Sequence, residues 1–174
     1  MNRREFKCSL SPESIGKLQC ELEKYSRDLT KKVDEFRRLL AERMAQDMGG
    51  GFATAIADDI LSDGARGANV SVTVENTGET ITTVIANGED AIWCEFGAGV
   101  YHNGAVGSSP HPLGSELGFV IGSFGEGKGQ KNVWGFYDGE ELKLTHGAPA
   151  SMPMYNALQR TIEDIANIAH EVFG

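Results

Sequence analysis

Cysteine, proline, aromatic residues and basic charge are all scarce in this chain of 174 residues, and no stretch approaches the apolar length needed to span a membrane. Cys8, Cys20 and Cys94 make an odd number with no CxxC pair, which excludes a disulfide framework and the usual zinc spacings and leaves three ordinary thiols. Sixteen basic against 25 acidic residues give a net charge of −9, which excludes general nucleic-acid binding, because neutralising phosphates takes clustered Lys and Arg. The start, Met1-Asn2-Arg3-Arg4-Glu5-Phe6-Lys7, carries charge with no apolar run behind it, so no signal peptide is expected and the product is expected to stay in the cytosol.

What remains is a 40% hydrophobic composition, enough to bury a real core in one compact domain plus an appendage and too short for two full domains. The charge is uneven. Residues 1–48 carry a net +2 and residues 49–174 a net −11.

Ser11-Pro12-Glu13 reads as a helix start, with a hydroxyl cap, a proline where no N–H is needed and an acid at the positive helix end. Leu10 and Ile15 are placed to close a hydrophobic staple. Ile15, Leu18, Leu22, Tyr25, Leu29, Val33, Phe36, Leu40 and Met44 then recur at steps of three and four, predicting one long amphipathic helix that ends at Gly49-Gly50-Gly51. Its apolar stripe needs a partner. Folding back on its own core and packing as an arm on a neighbouring subunit both remain open. A short helix over Phe52–Leu61 follows, then a hairpin from Val70-Ser71-Val72-Thr73-Val74 and Thr80 to Ala86 around Thr77-Gly78-Glu79.

Ala91 to Phe96 is apolar and ambiguous between strand and helix. Residues 97–129 hold ten glycines with Pro110 and Pro112, a composition for a long loop or a set of turns. Val133 to Tyr137 and Leu142-Lys143-Leu144 around Asp138-Gly139 predict a second hairpin. A last amphipathic helix opens near Pro153, with Met154, Leu158, Ile162, Ile165, Ala169 and Val172 on one face and Glu163, Asp164 and Glu171 turned away. The expected fold is α+β: long N-terminal and C-terminal helices on a small, mostly antiparallel sheet. The expected division is a helical arm over residues 1–51 and a core over 52–174 with a glycine-rich insertion at 97–130.

Three constellations invite chemistry. Gly122-Ser123-Phe124-Gly125-Glu126-Gly127-Lys128 fills the first seven places of a phosphate-binding loop, but Gly129 stands where a Ser or Thr must hold magnesium, and a strand follows instead of a helix. His102, His111, His146 and His170 lack HExxH or CxxC spacing and read as loop, turn and helix-surface residues. Cys94 is formally a nucleophile, yet an apolar run and the adjacent Glu95 raise a thiol pKa and suit a small core residue better. No cofactor and no metal are expected. Tyr101 and Phe124, aromatics within the loop, are better candidates for interface anchors, whereas Trp134 and Phe136 suit the core of the sheet.

Taken in order, the first helix, the hairpin, Ile92-Trp93-Cys94-Glu95-Phe96-Gly97-Ala98-Gly99, the glycine-rich insert, Trp134 to Tyr137, Thr145-His146-Gly147-Ala148-Pro149-Ala150 and Met152-Pro153-Met154-Tyr155 resemble the gene-ten-like tail-component family of long-tailed phages. The resemblance covers most of residues 10–172. It departs from the family between first helix and first hairpin, where a short polar turn with proline and Thr-Gly is replaced by Gly49-Gly50-Gly51 and an acidic stretch. It implies a non-enzymatic virion protein of the neck, a ring of six subunits between the head connector or adaptor and the tail tube or terminator. DNA would pass through its channel without specific binding. Such a protein is found in the host cytoplasm during assembly and then in the virion. Glu95, Phe96, Gly97, Gly99, Tyr101, Phe124, Trp134, Thr145, His146, Gly147, Pro149, Pro153 and Met154 are the expected interface or shape-determining residues, with Gly97 and Gly99 supplying backbone angles or close approach. Two rival readings are a tail terminator or assembly chaperone, and a small metal- or thiol-dependent hydrolase.

Overall fold

A computed structural model describes residues 5–57, 69–78, 80–88, 90–99, 101–102, 105–106, 109–119, 134–145, 147–148 and 150–174. The first helix begins as its sequence dictates. Ser11 Oγ accepts a hydrogen bond from the Ser14 amide (3.2 Å), so a first-turn donor is matched by the capping hydroxyl, and Ser14 Oγ accepts one from the Ser9 amide ahead of the helix (3.0 Å). The staple does not form. Leu10 is fully exposed, and the aromatic contact at this end is Phe6 edge-on to Tyr25, centroids 5.9 Å apart.

Helix α1 spans Pro12–Ala57, 46 residues, and therefore continues through the three glycines expected to end it and across the expected boundary at residue 51. Three glycines cost about 3 kcal/mol of helix propensity against alanine. Met48 and Phe52, which flank them and are fully buried, gain about 1.5–3 kcal/mol each by leaving water. Tertiary packing thus overrides the local signal. Gly51 also has a steric reason to lack a side chain: a Cβ there would lie 2.9 Å from Pro153 Cβ, where the last helix crosses.

Strands β1 (Ser71–Thr77) and β2 (Ile81–Asn87) form the first hairpin, in register from Ser71↔Asn87 to Thr77↔Ile81, with Gly78 at φ 69° in its turn. At its base Gly88 has φ 143°, and a Cβ would collide with the Asn69 carbonyl. Ala91–Phe96, ambiguous in sequence, is helix α2. Short ladders follow: β3 (Ala98–Gly99), β4 (Tyr101–His102) with β5 (Ala105–Val106), β6 (Trp134–Asp138) with β7 (Glu141–Thr145), and β8 (Gly147–Ala148), which pairs back with β3. All four ladders are antiparallel and two-stranded. The architecture is the expected α+β, with separate ribbons among the described residues where a single small sheet was expected. Helix α3 spans Pro153–Phe173.

The core lies where α1, α2 and α3 meet. Met48, Phe52 and Ala55 of α1, Ala91 and Cys94 of α2 and Ala157 of α3 form one buried cluster, with Val72, Val84 and Ala86 of the hairpin packed against it. Helix α3 runs antiparallel to α1, from Pro153 beside Gly51 to Phe173 edge-on to Phe36, centroids 5.7 Å apart. Two expectations for α3 are corrected. The face it turns to the interior carries Pro153, Ala157 and Ile168, so Leu158, Ile162 and Ile165 of the expected apolar face stay in solvent. Asp164 and Glu171 do not turn away either: Arg43 donates to both (2.7 and 2.5 Å), tying α3 to α1. The Asp164 carboxyl is held below the ordinary carboxylate range, first by the Asn167 amide and then by Arg43.

The glycines of α1 make opposite predictions for one chemical change. Nothing lies near a Cβ at Gly50, so Gly50→Ala is expected to stabilise the fold by about 0.5–1 kcal/mol. Gly51→Ala is expected to destabilise it by about 1–3 kcal/mol, since the new methyl meets a rigid proline ring. Urea unfolding of the two variants beside the parent chain measures both signs.

Candidate functional site

Glu95–Gly99 and the described residues that lead into α3 meet in space. β3 and β8 pair Ala98 with Ala148 and Gly99 with Gly147. One step further on, the Ser151 and Met152 amides both donate to the Cys94 carbonyl (2.9 and 3.3 Å). The chain then enters α3 through Met152 at φ 52° and ψ 47°, a left-handed conformation that costs a non-glycine residue roughly 1–2 kcal/mol.

That entry is sustained by Glu95. Helix α3 has no side-chain cap of its own, because Met152 stands at the capping position, and Pro153 at the first helical place has no N–H. The next two amides donate to the Glu95 carboxylate instead: Met154 N–H to Oε2 (2.7 Å) and Tyr155 N–H to Oε1 (2.8 Å). A negative group at a helix N-terminus is also favoured by the helix dipole. The same Oε1 accepts from His111 Nε2 at 3.0 Å, and both side chains are only 4% exposed. His111 Nδ1 accepts the Leu113 amide proton (3.0 Å), which assigns the ring proton to Nε2. Three donors thus converge on two oxygens in a dry place, the surroundings an acceptor-only carboxylate requires.

Aromatic rings close the junction. Phe96 stacks on Phe119 (centroids 4.3 Å, planes 9° apart) and lies 4.4 Å from the His111 ring, whose other neighbour is Tyr155 at 5.3 Å. Residues 109–119 form the turn that delivers His111 and Phe119. Its ends are joined by the Ser109 amide donating to the Phe119 carbonyl (3.1 Å), and the Phe119 amide donates to Gly114 (2.7 Å). Gly97 ends α2 at φ 79° and ψ 169°, a region that glycine alone adopts readily, and its amide donates to the Trp93 carbonyl (2.8 Å). That turn lets Phe96 face the junction while the chain leaves as β3.

Of the expected site residues, Glu95, Phe96, Gly97, Pro153 and Met154 come together here, and Gly99 and Gly147 pair in the adjoining ladder. Tyr101 pairs with Val106 in another ribbon, and Trp134 pairs with Thr145 at the open end of the second hairpin. Phe124, His146 and Pro149 lie outside the described residues, as does the segment resembling a phosphate-binding loop. His111, expected to be an ordinary loop histidine, is the residue sequence reasoning missed. Two signals pointed to it: a lone acid inside an apolar run, and a helix opening on Met-Pro without a Ser, Thr, Asp or Asn directly before the proline.

Both members of the Glu95–His111 pair are engaged in holding backbone. Cys94, beside them, is buried, and its thiol is pushed up to about 11 by burial, with Asp90 and Glu95 adding to the effect, so at neutral pH it is no thiolate nucleophile. Among the described residues, no three His, Cys, Asp or Glu side chains gather as metal ligands. No helix among them is long and apolar enough to cross a membrane. No family model, curated protein or solved structure matches the chain.

Glu95→Ala is expected to cost roughly 3–5 kcal/mol, because it orphans the imidazole N–H and two backbone amides in a buried site. Glu95→Gln keeps one acceptor oxygen but turns its NH2 toward a donor, for a smaller loss of about 1–3 kcal/mol. Denaturant titration ranks the two. For the thiols, a colourimetric disulfide reagent is expected to react with Cys8 and Cys20 in the native protein and with Cys94 only after unfolding. Three fast-reacting thiols at neutral pH would contradict the burial of Cys94.

Proposed function

We propose that this chain is a structural protein of a tailed phage or prophage particle, a neck or tail-completion component that joins the head connector to the tail as a six-membered ring. The observation that carries this reading is the half-exposed apolar face of α1: Ile15, Leu22, Leu29 and Val33 are 41–49% exposed, a surface that suits a chain completed by neighbours. The ordered resemblance of residues 10–172 supplies the family. The Glu95 junction supports it by giving two segments of that resemblance, Glu95–Gly99 and the stretch that enters α3 at Pro153, a joint structural purpose. An acidic balance of −11 over residues 49–174 suits the wall of a channel through which DNA slides, because it repels phosphate.

In this reading the partners are further copies of the chain, the connector or adaptor on the head side and the tube or terminator on the tail side. The chain works in the host cytoplasm during assembly and stays in the virion, without a cofactor. Particles produced without this gene are expected to accumulate as full heads and finished tails that do not join, as seen by electron microscopy. Overlong tails in the same preparation would assign the chain to tail termination instead, and normally joined particles would end the assembly reading.

A further inference from the structure

We infer that residues 5–10 form a strap that shields one flank of the apolar row of α1 in the free subunit and lifts when that helix is used in assembly. The lifting step rests on the ring reading above, and the strap itself rests on contacts within one chain. Phe6 packs edge-on against Tyr25, so the chain ahead of α1 doubles back over the helix it is about to enter.

Length fixes its path. A tyrosine in a helix leans toward the N-terminus, which places the Tyr25 ring over the turn at residues 21–22, about 15–17 Å from Ser11. The five residue steps from Ser11 back to Phe6 reach about 17 Å only when nearly extended. The segment therefore lies flat and antiparallel on α1, and the helix carries its imprint: between residues 11 and 27, Ser14 and Leu18 alone are less than exposed. These two share one line along the helix with Tyr25. In an extended segment alternate side chains face the same way, which accords with Phe6 on Tyr25 and with Ser14 Oγ donating to Cys8 Sγ (3.6 Å).

The two ends of the strap are held differently. At the hinge the Ser9 amide donates to Ser14 Oγ (3.0 Å), and the Ser9 and Ser11 hydroxyls lie 3.4 Å apart. At the tip Phe6 and Tyr25 stay 37 and 38% exposed, so water reaches both rings and little apolar surface is lost when they part. A fixed hinge and a wetted tip let the segment swing. With the strap down, Leu18 is covered and Tyr25 occupied, which narrows the apolar row that invites association. Being part of the same chain, the strap is always at hand to close, and it yields to a partner that covers more of the face.

Locking the strap tests this. In a chain carrying Cys8→Ser and Cys20→Ser, the changes Phe6→Cys and Tyr25→Cys place two accessible thiols at the contact, while Cys94 stays buried. A short bis-maleimide with a reducible centre closes the strap, and a mono-maleimide on the same thiols leaves it free. Each chain is added to unjoined full heads and finished tails made without this gene, and joined particles are counted by electron microscopy. The linked chain is expected to lose joining and to regain it on reduction, and the mono-maleimide chain to join like the parent. A linked chain that joins like the reduced one overturns the inference, as does failure of the reagent to form the link within one chain. An unlinked chain that fails where the parent succeeds overturns it too, by making the segment a brace for α1. A parent chain that does not restore joining overturns the ring reading itself, and with it the step the strap controls.

Discussion

One carboxylate governs how this chain closes on itself. Glu95 sits at the end of a six-residue helix and caps another helix that begins 58 positions later, while a histidine from the intervening loop shares one of its oxygens. Removing a charged group from water is costly, and the cost is offset only when its hydrogen bonds are complete. The fold meets that condition with two amides from α3 and one imidazole. Three distant segments must therefore be in place together, which makes the junction an all-or-none feature. The left-handed Met152, the glycine turn at Gly97 and the stacked Phe96 and Phe119 all belong to the same closure.

Local signals in the sequence were legible wherever they were not opposed by packing. Ser11-Pro12 starts α1, Thr77-Gly78 and Asp138-Gly139 turn the two hairpins, and Pro153 opens α3. The glycine triplet failed as a stop because Met48 and Phe52 anchor both its sides in the core, and no local rule weighs contacts made more than a hundred residues away. On α3 the apolar period was right and the orientation wrong. The stripe through Leu158, Ile162 and Ile165 is the more hydrophobic one, yet small Ala157 and the Arg43-bound Asp164 allow the neighbouring face to approach α1.

The junction itself was half visible. Glu95 and Pro153 stood out through the family resemblance, but their partnership did not, since a helix cap supplied from 58 positions away leaves no spacing to read. His111 was hidden for a different reason: a histidine in a loop rich in glycine and proline looks the same whether it is solvated or buried. Only the joint presence of an uncapped helix and an unpaired acid in an apolar run hinted that a third group was needed.

Among the described residues, the helices that pack on α1 all meet it toward its C-terminal end. Its C-terminal part is fixed by α3, α2 and the hairpin, while the part before Phe36 extends about 36 Å past the end of α3. It is a lever with its fulcrum at the Phe36–Phe173 contact. A tilt of about 5° there carries the tip at Ser11 through about 3 Å, close to the span of two helix residues. Small adjustments in the packing of Arg43, Asp164 and Glu171 therefore shift where the far end of the helix points, and the geometry of anything built on that tip depends on polar contacts between two helices about 48 Å away.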